Sequence, residues 1–206
     1  MGYAADPSEC IKAIRNLSGV VIAGNHDWAA AGKLSLERLN HLACDAIRWT
    51  AGVLSGEEKD FLGALPLVHK EEDFVLVHGS LYNPHDFDYL NNPKSAASTF
   101  AILEKQVCFI GHTHRPGVFI EDIDYNRIFY KGFISLHLEE HKKYIVNVGS
   151  VGQPRDGNPR ASFVVYDTQA KTIELKRIPY NLTVTQEKII KSGLPFLLAS
   201  RLGEGN

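Results

Sequence analysis

Two histidines separated by one residue, His112 and His114, follow Gly111 at the end of a short apolar run, Cys108, Phe109 and Ile110. Neutral imidazole is the commonest protein ligand for a borderline metal, so the pair is a candidate metal site. Alone it is weak, because a His-x-His in a polar loop is more often incidental than a ligand pair. Its companions change that. The apolar run from Val20 to Ala23 stops at Gly24-Asn25-His26-Asp27, Phe74 to Val77 stops at His78-Gly79-Ser80, and Tyr144 to Val148 stops at Gly149-Ser150. Each run ends in a small residue with a ligand-type or hydrogen-bonding side chain beside it.

These runs read as buried strands that end in tight turns, with glycine permitting a sharp backbone reversal and Pro116 closing the loop after His114. In an open α/β sheet, ligands collect at the carboxyl ends of the strands, so the four loops are expected to meet in one crevice. Between them, Asp6-Pro7-Ser8-Glu9 reads as a helix start, with Asp6 at the N-cap, Pro7 at the first helical position and Glu9 as capping-box partner. That helix should end between Asn16 and Gly19. Leu36, Leu39, Leu42, Ala43, Ala46 and Ile47 recur at helical spacing and predict a helix over Ser35 to Trp49. A capping box at Ser55 to Glu58 opens a further helix before Pro66, and Ser95 to Lys105 is another.

Leu67 to Val77 reads as a hairpin whose second strand delivers His78. Past Pro116 the pattern turns to strands, at Val118 to Ile120, Ile134 to Leu138, Tyr144 to Val148, Ala161 to Asp167 and Thr172 to Ile178, before a short C-terminal helix over Phe196 to Leu202. Tyr82 to Pro93 is a polar, aromatic loop placed to overhang the crevice and set substrate choice. His41, His137 and His141 read as surface or packing residues, Trp28 and Trp49 as packing residues, and His85 and Asp86 follow no strand end.

Gly24-Asn25-His26-Asp27, Val77-His78-Gly79-Ser80 and Gly111-His112-Thr113-His114 resemble the third, fourth and fifth motifs of the calcineurin-like metallophosphoesterases, in the same order. The closest branch is the small bacterial one loosely labelled diadenosine tetraphosphatase-like. The likeness runs through Asn147 to Asp156, where that branch usually has proline at the position of Val148. The resemblance implies a four-layer α/β/β/α sandwich of two mixed sheets in a single domain over residues 1–206. It also implies a site of two divalent metal ions, most suited to Mn, Fe or Zn. Asn25, His78 and His112 would hold one metal and His114 the other, while His26 would face the scissile phosphate as proton donor or charge stabiliser. The family's first motif, Asp-x-His, and its second, Gly-Asp, are not in these 206 residues, since no aspartate precedes a histidine by two positions and no glycine precedes an aspartate. Gly2 to Pro7 resembles the segment that follows the second motif, so the first strand is expected to be missing and the chain to start just after those ligands.

Composition sets bounds around this reading. With 206 residues, 44% hydrophobic and 22% charged, the chain is long enough for one domain with a sizeable core. A net charge of −2 argues against a general nucleic-acid surface or an anionic-membrane surface and leaves a small phosphorylated substrate as the expected partner. Cys10, Cys44 and Cys108 lack Cys-x-x-Cys spacing and read as core thiols of a cytoplasmic protein. Apolar runs fall short of a membrane span. The function expected is metal-dependent hydrolysis of a phosphoester by a water activated between two metals. The alternative is a shortened, catalytically inactive binding or regulatory module of the same fold. A lost first strand would leave an open sheet edge and favour a homo-oligomer.

Overall fold

A computed structural model describes residues 2–17 and 19–206. Four helices come first: α1 (Pro7–Leu17), α2 (Asn25–Ala30), α3 (His41–Val53) and α4 (Gly56–Ala64). Strands β1 (Val68–Lys70) and β2 (Phe74–Val77), helix α5 (Pro93–Ile102) and strand β3 (Val107–Ile110) follow. The remainder is β4 (Gly117–Asp122), β5 (Arg127–Lys131), β6 (Ser135–His137), β7 (Lys142–Asn147), β8 (Ala161–Asp167) and β9 (Thr172–Ile178), then α6 (Leu182–Lys191) and α7 (Phe196–Glu204). No helix among the described residues is long and apolar enough to cross a membrane.

The strands form a six-stranded sheet in the order β1-β2-β3-β7-β4-β5 and a three-stranded sheet in the order β6-β9-β8. In the larger sheet β2, β3 and β7 run parallel, and the other pairings are antiparallel. Both pairings of the smaller sheet are antiparallel, so of the two expected sheets only the larger is mixed. Period-two geometry puts successive side chains on opposite faces, and here both faces of the larger sheet are covered. Val75, Val77, Cys108, Ile110, Phe119 and Ile145 pack with Phe100 and Ala96 of α5. Val107, Phe109, Val118, Ile120, Tyr144 and Val146 pack against Leu136, Ile173, Val164 and Tyr166 of the smaller sheet. This is why β3 is an unbroken apolar run: all four of its residues are buried. The outer face of the smaller sheet leaves Phe163, Val165 and Ile178 exposed.

The remaining helices share two cores of their own, one built on Ile11, Ala29, Ile47 and Leu62, the other joining Ala46 of α3 to Ile189, Leu198 and Leu202 of the last two helices. Local chemistry sets their starts. Pro7 occupies the first position of α1, and the Cys10 N–H donates to the carbonyl of Asp6, the residue before the helix, at 3.1 Å. The helix runs to Leu17, and Ser18, within the expected end, lies outside the described residues. The Ser55 capping box is present as read, with Ser55 Oγ accepting from the Glu58 N–H and Glu58 Oε2 from the Ser55 N–H.

Three expectations need correction. Val20 to Ala23 pairs in no sheet. The Ala23 N–H donates to the Pro66 carbonyl at 2.8 Å, and the residues after it coil at once into α2. The helix expected from Ser35 begins at His41, because Asn40 Oδ1 accepts from the Ala43 N–H and caps it there, while Leu36–Arg38 make a separate 3₁₀ turn capped by Ser35. Cys10 is exposed rather than in the core; Cys44 and Cys108 are buried free thiols.

Candidate active site

The site is built at the carboxyl ends of β2, β3 and β7, three adjacent parallel strands. His78 follows β2 directly, His112 and His114 follow β3, and Asn147 closes β7. The strand ends are tied to one another: the Gly111 N–H donates to the His78 carbonyl at 2.9 Å and the Val148 N–H to the Ile110 carbonyl at 2.9 Å. Asn147, 2% exposed, donates through Nδ2 to the Gly111 carbonyl (2.5 Å) and to Thr113 Oγ1 (2.9 Å), and its Oδ1 accepts from the Gly149 N–H. It is a staple for the histidine loop.

That loop is strained. His112 and His114 both adopt positive φ, 62° and 61°, a conformation that is uncommon for residues with a Cβ and is held only when the surroundings enforce it. The consequence is that both rings project to one side. His78 Nε2 and His112 Nδ1 stand 3.1 Å apart, and the Phe87 carbonyl accepts from the His112 ring. His114 Nδ1 donates to the Gln153 carbonyl at 2.6 Å, which fixes the proton on Nδ1 and leaves the Nε2 lone pair open.

Asn25 and His26 arrive from α2. The close approach of α2 depends on Gly24: a Cβ there would meet the His78 ring at 2.8 Å. The Gly24 N–H donates to Asp27 Oδ2 at 2.8 Å, holding the first turn. Asn25 is 6% exposed. His26 packs on the Tyr3 ring with centroids 4.2 Å apart, and Tyr3 in turn lies 6.1 Å from the His114 ring. The His26 Nδ1 is buried without a hydrogen-bond partner among the described residues. Tyr89, from the loop Tyr82 to Pro93, stacks on His112 at 3.9 Å. Of the residues singled out in the sequence, His26, His78, His112 and His114 thus share one cluster, and Asn25 adjoins it. His85 lies apart, against Trp28.

Burial dominates the electrostatics. It pushes His26 and His78 down to about 3 and His112 and His114 down to about 4, so all four rings are neutral at physiological pH. Neutral imidazoles with open lone pairs are the form that binds metal. Two imidazole nitrogens bound at right angles to one ion, with bonds near ~2.1 Å, would stand roughly 3 Å apart, and the 3.1 Å between His78 and His112 matches that. His78 and His112 therefore fit one metal. The residues present fit a second one poorly. His114 is the one sequence-predicted ligand for it, and no group of three His, Cys, Asp or Glu side chains placed to hold a metal occurs among the described residues.

Sequence reasoning left Asn147, Gln153, Tyr3 and Tyr89 without roles. Their signal was faint, since a backbone carbonyl that orients a histidine leaves no mark in residue type.

An α/β sheet that presents neutral histidines and an amide at parallel strand ends is the construction of a metallohydrolase. The chain belongs to the calcineurin-like phosphoesterase superfamily, whose domain model matches residues 3–171. These enzymes hydrolyse phosphoesters with divalent metals, generally two. A metallophosphoesterase from Sphaerobacter thermophilus is similar over 100% of this chain and 85% of its own, with 36% identity and a TM-score of 0.88. An uncharacterized protein of Methanocaldococcus jannaschii is 36% identical over 98% of this chain and 82% of its own length. A hypothetical protein from Pyrococcus horikoshii OT3, at 19% identity and a TM-score of 0.76 over 100% of this chain and 82% of that one, shares the fold.

Proposed function

We propose that the cluster hydrolyses a small phosphoester, with Asn25, His78 and His112 holding one divalent ion and His114 contributing to a second. Mn, Fe or Zn suits the mixed imidazole and amide donors, and when bound would supply Lewis acidity toward phosphate oxygens and an acidified water. The observation that carries the reading is the 3.1 Å approach of His78 Nε2 to His112 Nδ1 on two separate strand ends.

The protein's own groups have separable tasks. The Gln153 carbonyl orients His114. Tyr89 shields one face of His112 from water. His26, held neutral by burial, enters the reaction as a hydrogen-bond donor to a phosphate or leaving-group oxygen, and an arriving anion favours its protonated form, which suits proton donation.

A second reading, a binding module without catalysis, is favoured because no group of three His, Cys, Asp or Glu side chains placed to hold a metal occurs among the described residues. The two part on turnover. Hydrolysis of nitrophenyl phosphate and bis(nitrophenyl) phosphate should appear with Mn²⁺ and vanish with chelator. Metal binding with no turnover across a broad phosphoester panel, also after an Asp-x-His and Gly-Asp segment is supplied, leaves the binding module.

A further inference from the structure

Arg155 stands beside this cluster and takes part in no ion pair among the described residues. Its backbone is locked to the histidine loop: the Arg155 N–H donates to the His114 carbonyl at 3.1 Å, and its own carbonyl accepts from Arg115 Nε at 2.8 Å. Its guanidinium is aimed by neutral groups. Nε and Nη2 both reach Gln153 Oε1, at 3.1 and 2.7 Å. The guanidinium carbon lies 5.3 Å from the centre of the Tyr3 ring, and the Tyr89 hydroxyl is hydrogen-bonded to the same group. Tyr3 and Tyr89 are the rings that touch His26 and His112. None of the ion pairs among the described residues includes Arg155, and the adjacent Asp156 pairs with Arg177.

A partly buried arginine is ordinarily matched by a carboxylate, because an uncompensated charge is expensive to desolvate. Gln153 is an amide, 2% exposed. It can fix the direction of the guanidinium while leaving the charge intact, and its own Nε2 is a buried donor without a partner among the described residues. The four histidines of the site are neutral and Arg155 takes part in none of the ion pairs among the described residues, so its charge is available to something that enters. A planar fork of N–H donors matches phosphate oxygens in pairs.

We propose that Arg155 binds the non-bridging oxygens of the substrate phosphate, and that Gln153 is the positioning residue that aims it without neutralising it. The assignment rests on the phosphoesterase reading of this site, but phosphate binding can be measured without turnover.

The test uses the full chain loaded with Mn²⁺ and inorganic phosphate as the probe, read by calorimetry and ³¹P line broadening beside metal content. Arg155→Gln should hold Mn²⁺ as wild type does, bind phosphate about 10- to 100-fold more weakly, as expected for losing a charge-assisted pair, and raise KM more than it lowers kcat. Arg155→Lys should recover part of the loss, since a point charge lacks the fork. Gln153→Glu keeps an oxygen acceptor in place yet supplies the missing countercharge, so it should weaken phosphate binding while the melting temperature is held or raised. This variant carries the test if Arg155→Gln fails to fold. Unchanged phosphate affinity in Arg155→Gln and Gln153→Glu overturns the assignment, as does a wild-type protein that binds no phosphate. A wild type that binds phosphate through Arg155 but turns over no ester keeps the clamp and removes the hydrolase reading. One that turns over esters indifferently to Arg155 does the reverse.

Discussion

His26 and His112 are both buried neutral imidazoles near the same sheet edge, yet their neighbours give them different work. The His112 nitrogen that faces His78 is placed to share an ion with it, whereas His26 Nδ1 is a lone buried atom against Tyr3. His112→Ala should therefore weaken Mn²⁺ binding by two orders of magnitude or so, with activity partly restored by excess metal. His26→Ala should retain its metal and lose about 10²- to 10⁴-fold in turnover. Metal titration and kcat on one substrate separate the two, and a His26→Ala enzyme with wild-type kcat removes its catalytic assignment. The same residues predict a pH response. Their folded values, about 3 for His26 and His78 and about 4 for His112 and His114, lie below the ~6.5 of an unfolded histidine. Below pH ~6.5 the unfolded chain therefore takes up protons that the folded chain refuses, and stability falls as acid is added until the folded values are reached. Urea midpoints of the chelator-treated protein should drop between pH 7 and pH 5; a flat profile would show that these rings are not buried neutral.

At the scale of elements, legibility followed how local the cause was. The Ser55 capping box and the apolar run of β3 were readable because each is decided by a few adjacent residues or by burial on both faces. Val20 to Ala23 carries the same apolar signature as β3, but none of the strand ladders among the described residues includes it. Asn40 outranked Ser35 as the cap of α3 because its side chain reaches the Ala43 N–H, a choice that spacing alone leaves open. β5 and α6 passed unread: β5 is half exposed and pairs on one side only, and α6 buries Ile189 alone among its residues. The histidine loop is the element where local preference is overruled, with two β-carbon-bearing residues at positive φ. Asn147 bears much of that cost. Asn147→Ala removes three hydrogen bonds from a residue 2% exposed, leaving the Gly149 N–H without its acceptor. It should cost about 2–4 kcal/mol in denaturant unfolding, at roughly 1 kcal/mol for each bond and more for a buried group left unpaired. A loss under about 0.5 kcal/mol would mean the loop holds its shape without it. Gly149→Ala tests the neighbouring turn: at φ 79°, with the Ser162 hydroxyl 2.3 Å from where a Cβ would sit, it should destabilise by at least about 2 kcal/mol.

Taken as a whole molecule, the fold collects donors unevenly. β2 and β3 deliver His78 and His112 to one point and Asn25 stands at the start of α2, so one ion has three candidate donors, Asn25 and His112 buried and His78 half-buried, on strand or helix ends. The other ion has His114; the buried Asp27 carboxylate lies close enough to His26 and His78 to act on both, but no group of three His, Cys, Asp or Glu side chains placed to hold a metal occurs among the described residues. A single imidazole holds a divalent ion weakly, and the carboxylate that ordinarily bridges two ions at about 3.5–4 Å is what couples their affinities. The 206 residues should accordingly bind close to one equivalent of Mn²⁺ or Zn²⁺ tightly and a second far more weakly, by about 100-fold or more. Elemental analysis after gel filtration, with calorimetry across two equivalents, reads this directly. Two tight equivalents on the 206 residues alone would show that the second ion finds its donors elsewhere in this chain. One equivalent that survives both His78→Ala and His112→Ala would place the first ion somewhere other than these strand ends.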